Sequence, residues 1–140
     1  MLTLQLLCYF GGMMVLAYED ARCLSVPALL SDSWLFTIIL LSALYRPIYL
    51  AAACGGAIIL TAFAYLTRGL GSADIIVIAA TTAVLGTSGS LLTLLCASLS
   101  SLCWSLCTHN HRIAFIPHLL FGSTVSGLVL LLPAAQRLLN

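Results

Sequence analysis

Charged residues are so sparse along this 140-residue chain that they divide it into long apolar runs. A bilayer-spanning helix needs about 20 mostly apolar residues, within a range of about 17–25. By that measure a first span covers residues 2–18 and is closed by Glu19, Asp20 and Arg22. A second begins at Pro27, a residue favoured in the first turn of a helix, and ends at Tyr45 before Arg46-Pro47. Residues 47–67 carry no charge and form a third, followed by Arg68 with Gly69 and Gly71. Between Asp74 and His109 lie 34 uncharged residues. One straight helix of that length would be about 51 Å long, against a hydrocarbon core of about 30 Å. This stretch therefore folds back, and Gly86-Thr87-Ser88-Gly89 is the place for it. A fourth span over 72–85, a fifth over 90–108 and a sixth over 113–132, containing Pro117, complete the count. The prediction is an all-α, polytopic membrane bundle of about six transmembrane helices, forming a single domain over residues 1–140.

Composition supports the same environment. The chain is 62% hydrophobic and 6% charged, where soluble domains have about 45–50% and about 25%. Five arginines against four acids leave a net charge of +1, so there is no basic patch for nucleic acid and no polybasic stretch for anionic lipid surfaces. Residues 2–17 could pass for the apolar part of a secretory signal. No Lys or Arg precedes them, however, and charges follow where a small-residue cleavage site belongs, so the expectation is a retained first span. With six spans, Asp20, Asp74 and residues 109–112 share one membrane face, together with Arg22, Arg68 and Arg112. Arg46 and Arg137 lie on the other. The positive-inside rule then puts the aspartates on the cytoplasmic side.

A carboxylate placed near the membrane interior costs about 2.5–3.5 kcal/mol on insertion scales, which makes intramembrane acids functional candidates. The ordinary alternative is a helix cap, a headgroup-region position or an ion pair. The acids are Glu19, Asp20, Asp32 and Asp74. Asp20 is followed seven residues later by Pro27, itself preceded by Val26, and Asp74 is preceded by Gly71-Ser72-Ala73. Phe115-Ile116-Pro117-His118 stands near the last span.

In these three segments the chain resembles the type IV prepilin peptidases. That family carries an Asp just after a span with a Pro seven positions on, a Gly-x-Gly-Asp at the head of a later helix, and an Ile-Pro-Phe-like segment near the end. The resemblance covers nearly the whole chain. It departs from the family at Ala73, where the second glycine belongs, and at Ile76, where many members have a lysine. The resemblance implies an intramembrane aspartic endopeptidase with Asp20 and Asp74 as the catalytic pair, and Gly71, Ser72, Ala73, Pro27 and Pro117 as motif or substrate-binding positions. It implies no cofactor and no metal. The implied substrate is a prepilin or pseudopilin of type IV pilus or type II secretion systems, cut at the cytoplasmic face of a bacterial inner membrane. Larger members add a cysteine-rich methylation segment that this sequence lacks, so peptidase activity is expected and methylation is left open.

Other features carry less. None of the six cysteines forms a C-x-x-C pair, and Cys107 with His109 and His111 makes only a thin metal-ligand set. His118 is expected at the interface near the aspartates. Trp34, Trp104 and most tyrosines are expected as interface anchors or lipid contacts, and the serines of 98–105 as polar helix packing. Glu19 points elsewhere on its helix than Asp20, and Asp32 suits an interfacial pairing with an arginine or polar backbone. A rival reading makes the chain a small transporter or channel subunit that uses Asp20 and Asp74 as a proton or cation pathway. A third makes it an inactive peptidase relative that assists assembly.

Overall fold

The computed structural model describes residues 2–67, 71–108 and 114–139, with the side chains of residues 2, 67 and 131–139 left aside. It is an all-α bundle: α1 (Leu2–Cys23), α2 (Ala28–Tyr45), α3 (Pro47–Thr67), α4 (Ser72–Thr108) and α5 (Ile116–Leu139). Helices α2, α3 and α4 are each long and apolar enough to cross a bilayer.

The bundle is turned inside out relative to a soluble protein. Leu29, Tyr65, Leu66 and Ile48 are more than three-quarters exposed, while Gln5, Ser42, Thr81, Thr93, Ser123 and Ser126 are buried. Water-soluble folds hide the first kind and display the second. In hydrocarbon the preference reverses, because lipid tails solvate leucine well and unpaired polar groups badly. The inward stripe of α2 is Ser31, Trp34, Ile38 and Ser42, and that of α1 is Gln5, Tyr9, Met13 and Leu16. Spacings of three and four residues put each set on one helix face.

Several polar side chains inside the bundle find one another, although Gln5 Oε1 is buried without a partner among the described residues. The Gln5 amide donates to Ser42 Oγ at 2.9 Å, the Tyr9 and Thr81 hydroxyls are 2.7 Å apart, and the Thr93 and Ser126 hydroxyls are 2.9 Å apart. Each bond ties two helices where no water competes for it.

Close backbone approach supplies the rest. A methyl group added at Gly122 would overlap the carbonyl oxygen of Thr93, and one added at Gly12 would overlap the Trp34 indole. Trp34 fills the Gly12 notch and donates from Nε1 to the Cys8 carbonyl at 3.2 Å. It is therefore a buried packing residue and not the interface anchor the sequence suggests. Trp104, by contrast, is 58% exposed.

Five helices stand where six were expected. The difference lies in α4, 37 residues long and interrupted only at Gly86, whose φ of 76° and ψ of 177° are not helical. The expected fold-back is present, made by one residue without a loop. The Thr82 and Ser90 hydroxyls are 2.9 Å apart, although residues eight apart on a straight helix are separated by about 12 Å. A positive φ of this kind costs a side-chain-bearing residue heavily, and a Cβ at Gly86 would also press on the Tyr49 ring at 3.3 Å. Both limbs of α4 consequently end at the same end of the bundle, with Asp74 on one and Ser100 on the other.

Smaller corrections concern boundaries. Helix α1 continues five residues beyond Tyr18 to Cys23, so Asp20 lies within it; Arg22 in its last turn suits the negative end of the helix dipole. Pro27 caps α2 and does not occupy its first turn. Helix α5 begins at Ile116, with Pro117 second.

Gly122→Leu is predicted to destabilise the bundle by about 1–3 kcal/mol, the usual cost of overpacking. Reversible unfolding in mixed micelles would measure this; an unchanged midpoint would mean α4 and α5 are not in backbone contact there.

Candidate functional site

The three sequence segments that attract attention meet at one end of the bundle, each delivered by a helix terminus. Helix α1 is stopped by Leu24, whose φ of 51° lies in the left-handed region, with its N–H still bonded to the Asp20 carbonyl at 2.9 Å. Pro27 then starts α2 in the reverse direction: the N–H groups of Leu30 and Ser31 donate to its carbonyl at 3.0 and 3.2 Å. Pro27 thus sets the start of the helix that follows the turn after Asp20.

Asp20 reaches across to α5. Its Oδ2 accepts the backbone N–H of Ile116 at 3.0 Å. The first N–H groups of a helix have no partner within it, and Pro117 has none to offer, so the neighbouring helix supplies a carboxylate to the one that remains. The next turn closes locally, with the N–H groups of His118 and Leu119 both donating to Phe115 O at 3.1 Å. Pro117 fits here because its missing donor is one the helix could not have satisfied. His118 is fixed by a 3.0 Å contact between Nδ1 and Ser100 Oγ.

Asp74 occupies the third position of α4 and bonds the backbone N–H of Gly71. Gly71 acts as N-cap, its carbonyl accepting from Ile75 at 3.3 Å. An acid reaching back to the cap N–H is one half of a capping box. A Cβ at Gly71 would sit 3.2 Å from Asp74 Oδ2, so this glycine leaves room for the carboxylate to fold back on its own helix start. Ser72 is exposed, and Ala73 is half-buried and packs against the core.

The two carboxylates are near enough for the charge of Asp20 to act on Asp74. Both are half-buried. Each therefore holds a structural hydrogen bond at a helix start. Among the described residues, Asp20 Oδ1 has no hydrogen-bond partner. Where two carboxyl groups lie this near, one can serve as acid and the other as base. That is a competent arrangement for giving and taking a proton.

Several other positions fall outside this cluster. Asp32 is exposed on α2, and among the described residues no arginine pairs with it. Cys103 and Cys107 are exposed and unoxidised, while His109 and His111 lie outside the described residues. Ser98 and Ser101 bond carbonyls of their own helix, leaving Ser100 as the serine of that run that links two helices. Reasoning from sequence missed the Ile116 N–H as a partner of Asp20; a Pro one residue beyond a helix start was the only signal for it.

No protein-family model, curated relative or solved structure matches this chain.

Asp20→Ala should lower stability by about 1 kcal/mol, the worth of a lost helix cap, and speed amide exchange at Ile116. Asp20→Asn retains an acceptor oxygen and should leave that amide protected. Equal protection in wild type and Asp20→Ala would remove Asp20 from this role.

Proposed function

We propose that this chain is an intramembrane aspartic endopeptidase that removes the leader of prepilin or pseudopilin substrates at the cytoplasmic face of a bacterial inner membrane. The observation that carries the reading is that Asp20 and Asp74, from two different helices, come near enough for the charge of one to act on the other, with Asp20 bonded to the start of α5. Sequence spacing alone gave no reason for 53 intervening residues to close on one another.

Peptide hydrolysis needs a base to take a proton from water and an acid to give one to the carbonyl oxygen as it gains charge. A carboxyl pair sharing one proton offers both at once. Asp20 is anchored through Oδ2, which leaves Oδ1 for a water. Asp74 is anchored to Gly71, where the exposed Gly71-Ser72 segment leaves room for an extended substrate backbone. The acids sit at helix ends, where the scissile bond of a leader preceding an apolar helix would arrive.

The transporter reading draws on the same acids, but a conducting path also needs polar groups available along the interior. Here the buried hydroxyls of Thr81, Thr82, Thr93 and Ser126 all bond carbonyls of their own helix. An inactive assembly factor shares the fold and lacks the reaction, so catalysis itself separates it.

Co-expression with a prepilin in a bacterial membrane, followed by the pilin's size and new N-terminus, tests the proposal. Wild type should cut after the glycine that ends the leader. Asp20→Asn and Asp74→Asn should each lower the rate by about 10²–10⁴-fold, the usual contribution of a general acid or base. Intact substrates across a panel of leaders, with folded protein present, would remove the peptidase assignment.

A further inference from the structure

The opposite end of the bundle holds a cavity of about 590 Å³, within the size range of small-ligand sites. It lies at the Gly86 turn, about 20 Å along the helices from the carboxylates at 1.5 Å per residue. Its inner wall is apolar, formed by Leu6 and Phe10 of α1 and Val84 of α4. Leu128 and Leu130 of α5 also line it and are 64% and 44% exposed on the hydrocarbon-facing surface, so the cavity opens sideways towards lipid.

Among the described residues one cation lines it. Arg46 ends α2, and its guanidinium lies 5.2 Å from the centre of the Tyr49 ring. Among the described residues no carboxylate pairs with it. The reason is visible in the layout of charge: Glu19, Asp20, Asp32 and Asp74 all belong to helix segments at the other end of the bundle. Asp32 and Arg46 lie on one helix, about 21 Å apart along its axis. A half-buried guanidinium in a low-dielectric setting needs an anion, and the described residues provide none nearby.

We propose that the cavity binds an anionic phospholipid, with an acyl chain among Leu6, Phe10, Val84 and Leu128 and the phosphate on Arg46. The pairing of an apolar, laterally open cavity with one uncompensated guanidinium fits an amphiphile carrying a negative head. A zwitterionic lipid supplies the chain but offsets the charge. Free phosphate supplies the charge but leaves the apolar wall unfilled. Arg is well suited to the task because its planar fork takes two phosphate oxygens at once. Occupancy would also brace the Gly86 turn, since Tyr49 packs on both Gly86 and Arg46.

Native mass spectrometry of the detergent-solubilised chain, titrated with phosphatidylglycerol, phosphatidylcholine or inorganic phosphate, tests this directly. Wild type should bind phosphatidylglycerol about fivefold more tightly than phosphatidylcholine, the effect of about one basic side chain. Inorganic phosphate should neither bind measurably nor compete. Arg46→Gln should abolish the preference while still binding both lipids. Gly127→Leu should weaken both: a Cβ there would lie at ordinary contact distance from Phe10, 3.7 Å, and the longer side chain enters the cavity. Equal affinity of wild type for the two lipids, or a preference that survives in Arg46→Gln, would overturn the proposal, as would competition by inorganic phosphate.

Discussion

Hydrocarbon cannot take up a hydrogen bond, and that constraint organises this bundle from its core to its ends. Within a helix the backbone satisfies itself, but the first N–H groups and any inward polar side chain must find partners elsewhere in the protein. The interior answers with hydroxyl pairs such as Tyr9–Thr81 and Thr93–Ser126. The helix starts answer with acids: Asp74 takes the cap N–H of Gly71, and Asp20 takes that of Ile116. The demand for acceptors at two neighbouring helix starts brings two carboxylates together at one end of the bundle.

The same constraint explains why small residues matter here. Lipid offers no hydrophobic gain for pressing helices together, so association depends on close contact and hydrogen bonds. Gly122 lets α5 approach the backbone of α4, and Gly12 admits Trp34. Gly86 reverses α4 in a single residue. This turn returns the second limb of α4 to the carboxylate end, where Ser100 steadies His118, and opens the Arg46 cavity at the far end.

Much of this was legible in the sequence, for physical reasons that can be named. The fold-back in α4 followed from 34 uncharged residues exceeding the thickness of a bilayer, and the helical class followed from composition. The helix count was off by one because Gly86 alone makes the turn that the Gly86-Thr87-Ser88-Gly89 run announced, so the two limbs join without a loop. The end of α1 was placed too early at Tyr18, since charges tolerated in a final turn look like a terminator. Trp34 read as an interface residue because its notch is made by Gly12 on another helix. Asp20 and Asp74 were recognisable as unusual acids by the cost of placing them. The partner of Asp20, the Ile116 N–H, was marked only by the proline that follows it, because a backbone donor itself leaves no mark in a sequence. Arg46 served only to divide two spans until the surroundings of its side chain were known.

The central claim is that Asp20 and Asp74 lie beside one another in the substrate-free protein. Continuous-wave electron paramagnetic resonance tests it most directly, with spin labels on cysteines placed at positions 20 and 74 in a chain whose six native cysteines are replaced. Strong dipolar broadening in the doubly labelled protein, beyond the summed spectra of the two single labels, is the predicted result. A double-label spectrum equal to that sum would contradict the account.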